Sequence, residues 1–161
     1  MERHRFIPVI LVSFTLAAAA CDNPAGPKQP LPVTRIMNGT FSHAPAPQKL
    51  VLRTAREFQD AWAAMFVNVT MPPIPLDVDF SSEMVIIVQA GPKPTSGFCI
   101  AVDAASGDRR SMDVRVRSSG PTPQMGVLPV ITHPFDVVRV PRRDAVRFDD
   151  VSEVGNCGLG A

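Results

Sequence analysis

The sequence is poor in the residues that most often carry catalysis or bind metals. Its 161 residues include no tyrosine, one tryptophan, three histidines and three cysteines. His43 and His133, the two histidines beyond the N-terminal segment, accompany no Gly-x-Ser-x-Gly or Ser-x-x-Lys pattern that would mark an activated nucleophile. The cysteines and histidines also lack the close pair spacings of zinc sites. We therefore predict a non-enzymatic protein with no metal, no other cofactor and no small-molecule substrate.

Neither sign of charge is in excess. Lysine and arginine together number 16 and aspartate and glutamate 15, so the formal net charge is +1. Such a chain lacks the basic surface by which proteins hold nucleic acids, and no nucleic-acid partner is expected. The length suits one domain. Seventeen prolines and ten glycines favour short strands and turns over a helix bundle.

The N-terminal segment has the organisation of a secretory signal. Two arginines precede an apolar run over residues 6–20, which is short for a transmembrane helix and ends in small residues before Cys21. This ending resembles a bacterial lipobox, in which the cysteine becomes the lipidated first residue of the mature protein. Cleavage at the same point without lipidation and an uncleaved anchor are the alternatives. We expect a signal peptide over residues 1–20, membrane attachment through lipid on Cys21, and a location on the periplasmic or surface side of the bacterial cell envelope.

The remaining chain divides into a linker and one domain. Residues 21–33 are rich in proline and are expected to form an extended tether. Residues 34–161 are expected to form the folded domain.

One helix is predicted, and its first residues are marked by a capping pattern. Thr54 and Glu57 have the spacing of a capping box, in which each side chain accepts a hydrogen bond from the backbone of the other residue. The apolar residues that follow recur at helical spacing on one face: Phe58, Ala61, Trp62, Met65 and Phe66. We expect this face to pack in the core, because a helix of this length needs tertiary contacts to persist.

The other elements are predicted strands. Residues 84–88 are continuously apolar, as in a central strand covered on both faces, and residues 98–117 alternate around a turn, as in a β-hairpin. Further strands are expected at residues 33–38, 49–53 and 135–140, with a short piece at 146–148. The fold class is therefore α+β: a mostly antiparallel, sandwich-like sheet domain with one amphipathic helix.

Two cysteines remain beyond Cys21. In an oxidising compartment Cys99 and Cys157 are expected to form a disulfide, which would attach the C-terminal tail to the hairpin. The chain-entropy estimate for such a long loop is about 4 kcal/mol. The alternative is a buried thiol at Cys99 and a free one in the tail.

The most distinctive loop spans residues 91–98. Its two prolines stiffen it, and Gly91 and Gly97 permit tight backbone at its ends. A rigid exposed loop loses little entropy on docking and so suits protein binding, although it serves equally well as a structural turn. Alternation with Ile100 places Phe98 on the core side of the following strand.

A family resemblance links these motifs. The sequence contains, in order, Trp62, Asp79-Phe80, the apolar strand from Met84, Gly91-x-x-Pro94-Thr95-x-Gly97-Phe98-x-Ile100, Pro121-x-Pro123, Thr132-x-Pro134-Phe135 and Val138-x-Val140-Pro141. This order resembles the C-terminal domain of the protease complex subunit PrcB over most of residues 50–148. Ser96 stands where that family has a glycine, and Phe98 where it usually has a tyrosine.

The resemblance implies an envelope lipoprotein that binds and stabilises a partner protease. The candidate contact residues are Lys93, Pro94, Thr95, Ser96, Gly97 and Phe98, with His133, Pro134 and Phe135 behind them. Two alternatives stay open. Residues 94–98 are also similar to a loop of chagasin-like cysteine-peptidase inhibitors, although the Gly-x-Gly-Gly loop of those inhibitors is missing. The second alternative is a structural envelope lipoprotein without a peptidase partner.

Overall fold

Two four-stranded sheets and one helix make up the described part of the protein. The computed structural model describes residues 27–155, so the predicted signal peptide, Cys21 and Cys157 lie outside it. The elements are β1 (Gln29–Leu31), β2 (Thr34–Gly39), β3 (Gln48–Leu52), α1 (Ala55–Met65), β4 (Glu83–Gln89), β5 (Cys99–Gly107), β6 (Ser111–Gly120), β7 (Phe135–Pro141) and β8 (Ala145–Val154). The first sheet has the order β1-β5-β6-β8 and the second β2-β7-β4-β3. The pairings are antiparallel except for β6 with β8, which confirms the predicted α+β class with mostly antiparallel sheets.

The helix begins where the capping box predicted. The Thr54 hydroxyl accepts a hydrogen bond from the Glu57 N–H at 3.2 Å, and the Glu57 carboxylate accepts from the Thr54 N–H at 3.0 Å. Phe58, Trp62 and Met65 are buried on the face that the spacing selected. The apolar face of α1 is therefore core, as expected.

Strand β4 divides the core into two layers, because it is buried on both faces. Met84, Ile86 and Val88 point into the space between the sheets and pack with side chains of β5, β6 and β7. Val85 and Ile87 point to the opposite side and pack with the apolar face of α1. The molecule is thus layered as first sheet, second sheet and helix.

The predicted hairpin is the pair β5 and β6, joined by a tight turn at residues 108–110. Its register shifts between Val102 and Ala104, so Asp103 is an extra residue on β5. Such a bulge bends a strand and interrupts its ladder. The Asp103 carboxylate accepts a hydrogen bond from Arg117 Nε on the neighbouring strand β6 at 2.8 Å.

The structure differs from the expectations at both ends of the described chain. Gln29–Leu31, which fall in the segment expected to be an unpaired tether, form β1 and pair with β5. The short piece expected at residues 146–148 is a ten-residue strand, Ala145–Val154, that runs parallel to β6. Both strands lie at sheet edges, where most side chains face solvent and leave a weak apolar pattern.

Within residues 27–155 the longest helix has 11 residues, and none is long and apolar enough to span a membrane.

Candidate functional site

The loop over residues 91–98 is built on two glycines with positive φ. Gly91 has φ of +67°, and a Cβ there would lie 2.8 Å from the backbone nitrogen of Pro47. Gly97 has φ of +89° and packs against Pro121 and Val127. Both positions therefore favour glycine, by conformation and by close approach. The sequence correctly indicated tight backbone at each end of this loop.

A second loop, residues 121–134, holds the first in place. Lys93 and Thr132 form an antiparallel bridge, with N–H to carbonyl distances of 2.8 and 3.0 Å. The Thr132 hydroxyl donates to the Thr95 carbonyl at 3.0 Å. The Ser96 N–H donates to the Leu128 carbonyl, and the Ser96 hydroxyl accepts from the Leu128 N–H at 2.8 Å. The two loops are therefore one hydrogen-bonded unit.

This unit carries exposed apolar side chains that sequence reasoning missed. Leu128 is 68% exposed, Ile131 is 63% exposed and Val130 is also exposed. They lie beside the predicted contact residues because Leu128 and Thr132 are the partners of Ser96 and Lys93. The available signal was the cluster of large apolar residues in a proline-rich stretch with no strand alternation.

Phe41 is a further exposed apolar side chain, from a segment bonded to the end of the second loop. The His133 N–H donates to the Thr40 carbonyl at 2.7 Å, and the Ser42 hydroxyl donates to the His133 carbonyl at 3.1 Å. Phe41 therefore sits beside His133, with 64% of its surface exposed. We call Phe41, Leu128, Val130 and Ile131 the apolar loop surface.

The predicted contact residues differ in how far they reach solvent. Pro94 is exposed, whereas Lys93, Thr95, Ser96, Gly97, Phe98 and His133 are partly buried. Pro134 and Phe135 are buried, and the Phe135 ring packs edge-on against Phe66 at a centroid distance of 5.8 Å. They can support the loops from behind but cannot reach a partner.

Phe98 lies at the border of the core. Its ring packs against Gly120, where an added Cβ would lie 3.0 Å from the ring. On another side the Lys93 ammonium lies 5.7 Å from the ring centroid, within the range of a cation–π contact. The alternation with Ile100 thus predicted the inward direction, although the ring is only partly buried.

The geometry around Cys99 bears on the expected disulfide. Cys99 is buried on β5 and pairs with Ser119 of β6, whose neighbour Gly120 pairs with Val154 of β8. The Gly155 N–H donates to the Gly120 carbonyl at 2.9 Å. The chain therefore reaches residue 155 one strand away from Cys99. Cys157 lies outside the described residues, so the pairing stays a prediction.

Side chains suited to metal binding are not gathered in the described part of the chain. Residues 27–155 contain no group of three or more His, Cys, Asp or Glu side chains close enough to hold a metal ion. His43 and His133 lie in the two segments that carry the apolar loop surface, shortly after Phe41 and Ile131 respectively.

The fold defines a β-rich α+β domain with paired loops at one end. Residues 84–141 match the model of the family described as PrcB C-terminal. This stretch contains β4 to β7 and both loops of the hydrogen-bonded unit, and the match confirms the resemblance for it. No curated protein and no solved structure matches the chain.

Proposed function

We propose that this protein is a non-enzymatic lipoprotein of the cell envelope that binds a secreted or surface protease and stabilises it. The family name connects the domain with a protease complex. The apolar loop surface is the observation that carries the choice of protein binding. Three exposed aliphatic side chains lie on the loop bonded to residues 93–96, and exposed Phe41 lies on the segment hydrogen-bonded to His133. A concentration of exposed apolar groups is typical of interaction sites.

The support beneath this surface favours docking. Five hydrogen bonds join residues 93–96 to Leu128 and Thr132, so the loops are fixed before a partner arrives. A preorganised surface loses less conformational entropy on association than a mobile one. Lys93 and Thr95, both hydrogen-bonded to Thr132, supply a polar rim beside it, in the arrangement of an apolar centre with a polar border.

The test uses the lipidated protein in its own envelope, with crosslinking, capture and identification of the bound species. Ile131→Glu places a charge in the apolar loop surface and should reduce capture by tenfold or more, equivalent to about 1.4 kcal/mol. Ile74→Glu is the matched control, because Ile74 is 90% exposed in the segment after α1 and outside the proposed surface. Both variants should keep the wild-type melting temperature, since exposed substitutions usually cost little.

The identity of the captured species tests whether the partner is a protease that this protein stabilises. A protease whose active half-life falls when this protein is deleted supports the proposal. A cysteine peptidase captured in an inhibited state would replace it with the inhibitor alternative. Equal capture by the wild type and Ile131→Glu would remove the apolar loop surface from the proposal.

The residues nominated from the sequence have a separate test. Thr95→Ala combined with Lys93→Ala removes a hydroxyl and a charge from the rim and should also weaken capture. If this double variant is folded and captures partner as well as the wild type, the 91–98 loop is a structural support.

A further inference from the structure

A cleft opens between the two sheets next to the hydrogen-bonded loops. Its volume is about 470 Å³, within the range of small-ligand sites. Ile100 and Val116 line it from the first sheet, and Pro47 and Ala90 line it from the residues next to β3 and β4 of the second. Because Ile100, Val116 and Ala90 also belong to the core between the sheets, the cleft has an aliphatic wall.

The cleft has more positive than negative side chains. Its charged lining residues are Lys49, Lys93 and Asp150. The Lys49 ammonium lies 2.5 Å from the Asp150 carboxylate, so that charge is already compensated. Lys93 forms no ion pair with any carboxylate of residues 27–155. One positive charge is therefore left without a counter-charge beside an aliphatic wall.

Contacts within the loops fix the position of Lys93. Its backbone is fixed by the two hydrogen bonds to Thr132, and its ammonium lies over the Phe98 ring. The chain has three lysines, and the third, Lys28, pairs with Asp113 away from the cleft. Two of the three thus line one cavity.

The adjoining wall is polar but rigid. Gln89 is 1% exposed; its amide oxygen accepts a hydrogen bond from Gln48, and its amide nitrogen donates to the Ser42 hydroxyl at 3.0 Å. Because these groups are already paired, Lys93 is the strongest donor available to an anion entering the cleft.

We propose that this cleft binds a carboxylate with an aliphatic body, the carboxylate at Lys93 and the hydrocarbon against Ile100 and Val116. The C-terminal residue of a peptide and a short fatty acid share this chemistry. This site is distinct from the apolar loop surface, because its ligand enters between the sheets. It does not depend on the identity of any protein partner.

The small number of lysines makes a direct test possible. Reductive methylation with ¹³C-formaldehyde labels the lysine amines and keeps their charge, so the purified protein should give three lysine signals. Lys→Arg variants assign them. Titration with hexanoate, or with N-acetyl-Val-Leu carrying a free carboxylate, should shift the Lys93 signal most and leave the Lys28 signal unchanged.

Each acid has a neutral counterpart as its control. Hexanamide and the C-terminal amide of the peptide should bind at least tenfold more weakly, because they carry no negative charge to pair with the Lys93 ammonium. Lys93→Met should weaken both acids by a similar factor and the amides by less. Lys28→Met, which removes a lysine outside the cleft, should bind the acids as the wild type does.

The ratio of the affinities for hexanoate and for the dipeptide shows which kind of carboxylate the cleft prefers. Tighter binding of the dipeptide indicates a peptide C-terminus, and tighter binding of hexanoate indicates a fatty acid. The proposal is overturned if Lys93→Met remains folded and binds the acids normally, if acids and amides bind equally, or if the Lys28 signal shifts as much as the Lys93 signal. None of these measurements involves partner capture, so failure here leaves the docking proposal standing.

Discussion

The carboxylate of Asp136, on β7 of the second sheet, accepts a hydrogen bond from the Val102 N–H, on β5 of the first sheet, at 2.8 Å. Asp136 is completely buried. Val102 adjoins the bulge in β5, where the ladder is interrupted. The bond therefore links the two sheets through a backbone group that the bulge region offers to a side chain.

Arg35 completes this link from β2. Its guanidinium donates to both Asp136 oxygens, at 2.8 and 3.0 Å, and lies 3.4 Å from the Val102 carbonyl. The hydrogen bond to Asp136 raises the pKa of Arg35 above its already high ordinary value, so the guanidinium stays protonated. The buried carboxylate thus has three donors.

Asp136→Ala should be strongly destabilising. It leaves the Val102 N–H and the Arg35 guanidinium without their acceptor, and removing one partner of a buried pair typically costs about 3–5 kcal/mol. Asp103→Ala is the control, because its pair with Arg117 is partly exposed and should contribute about 1 kcal/mol or less. Urea unfolding measures both. Equal losses would show that the link between the sheets contributes no more than a surface pair.

Trp62→Ala should cost about 3–5 kcal/mol by leaving a cavity beneath the helix. Trp62 packs between the Phe58 and Phe66 rings, at centroid distances of 5.5 and 5.1 Å, and its indole N–H donates to the Pro73 carbonyl at 2.7 Å. Gln59→Ala, on the exposed face of α1, should be nearly neutral. Because this is the sole tryptophan, its emission should be blue-shifted in the folded protein. A maximum like that of free tryptophan would contradict the buried position.

Glu57 and Asp79 should make the fold sensitive to acid. Hydrogen bonds from the Arg53 and Thr54 backbone lower the pKa of Glu57 below 4.5, and those from Ser81 and Ser82 lower the pKa of Asp79 below 3.8. A lowered folded-state pKa adds stability above the unfolded value, and that stability is lost as pH falls through the folded value. The melting temperature should therefore decline as the pH falls below about 4.5, the ordinary pKa of a glutamate carboxyl group.

The Glu57→Gln variant isolates the contribution of the capping box. Its melting temperature should be lower than that of the wild type near neutral pH and should converge with it in acid, where both side chains are uncharged. Glu153→Gln is the control for removing charge at an exposed glutamate. A constant difference between the Glu57→Gln and wild-type curves at all pH values would contradict this account.

The mature protein should contain no free thiol at Cys99 or Cys157. Replacing both by serine should cost a few kcal/mol, the usual range for a native disulfide. Mass spectrometry after maleimide treatment of the denatured, unreduced protein measures the thiols directly. Labelling at both positions would rule the bond out.

Cys21→Ala should block lipid-dependent processing or release the protein from membranes. The reason is the apolar segment that ends in small residues at Cys21. Detergent-phase partitioning and the intact mass of the wild type provide the measurement. A wild-type mass without acyl chains, together with unchanged partitioning of the variant, would contradict lipidation.

The elements that the sequence predicted well are those with a local signal. Thr54 and Glu57 mark the start of α1 by themselves, and the run beginning at Met84 is apolar because β4 is covered on both sides. Strand β8 has no such signal, because its apolar and polar residues alternate only weakly. Its parallel pairing with β6 is seen only in the three-dimensional structure. The same holds for the candidate site, where the 91–98 loop was recognisable but its junction with Leu128 and Thr132 was not.

The pairing of the first strands with distant ones has a consequence for folding. Arg35 and Asp136, which form an ion pair, are 101 residues apart in the chain. Strand β1, at residues 29–31, pairs with β5 at residues 105–107. Contacts between residues so distant in sequence are entropically costly to close and tend to form slowly. Strands β1 and β2 cannot join their sheets before β5 and β7 are available. Nascent or truncated chains would therefore expose the apolar faces of both sheets. A version of the protein that ends before Phe135 should therefore aggregate rather than form a smaller stable domain.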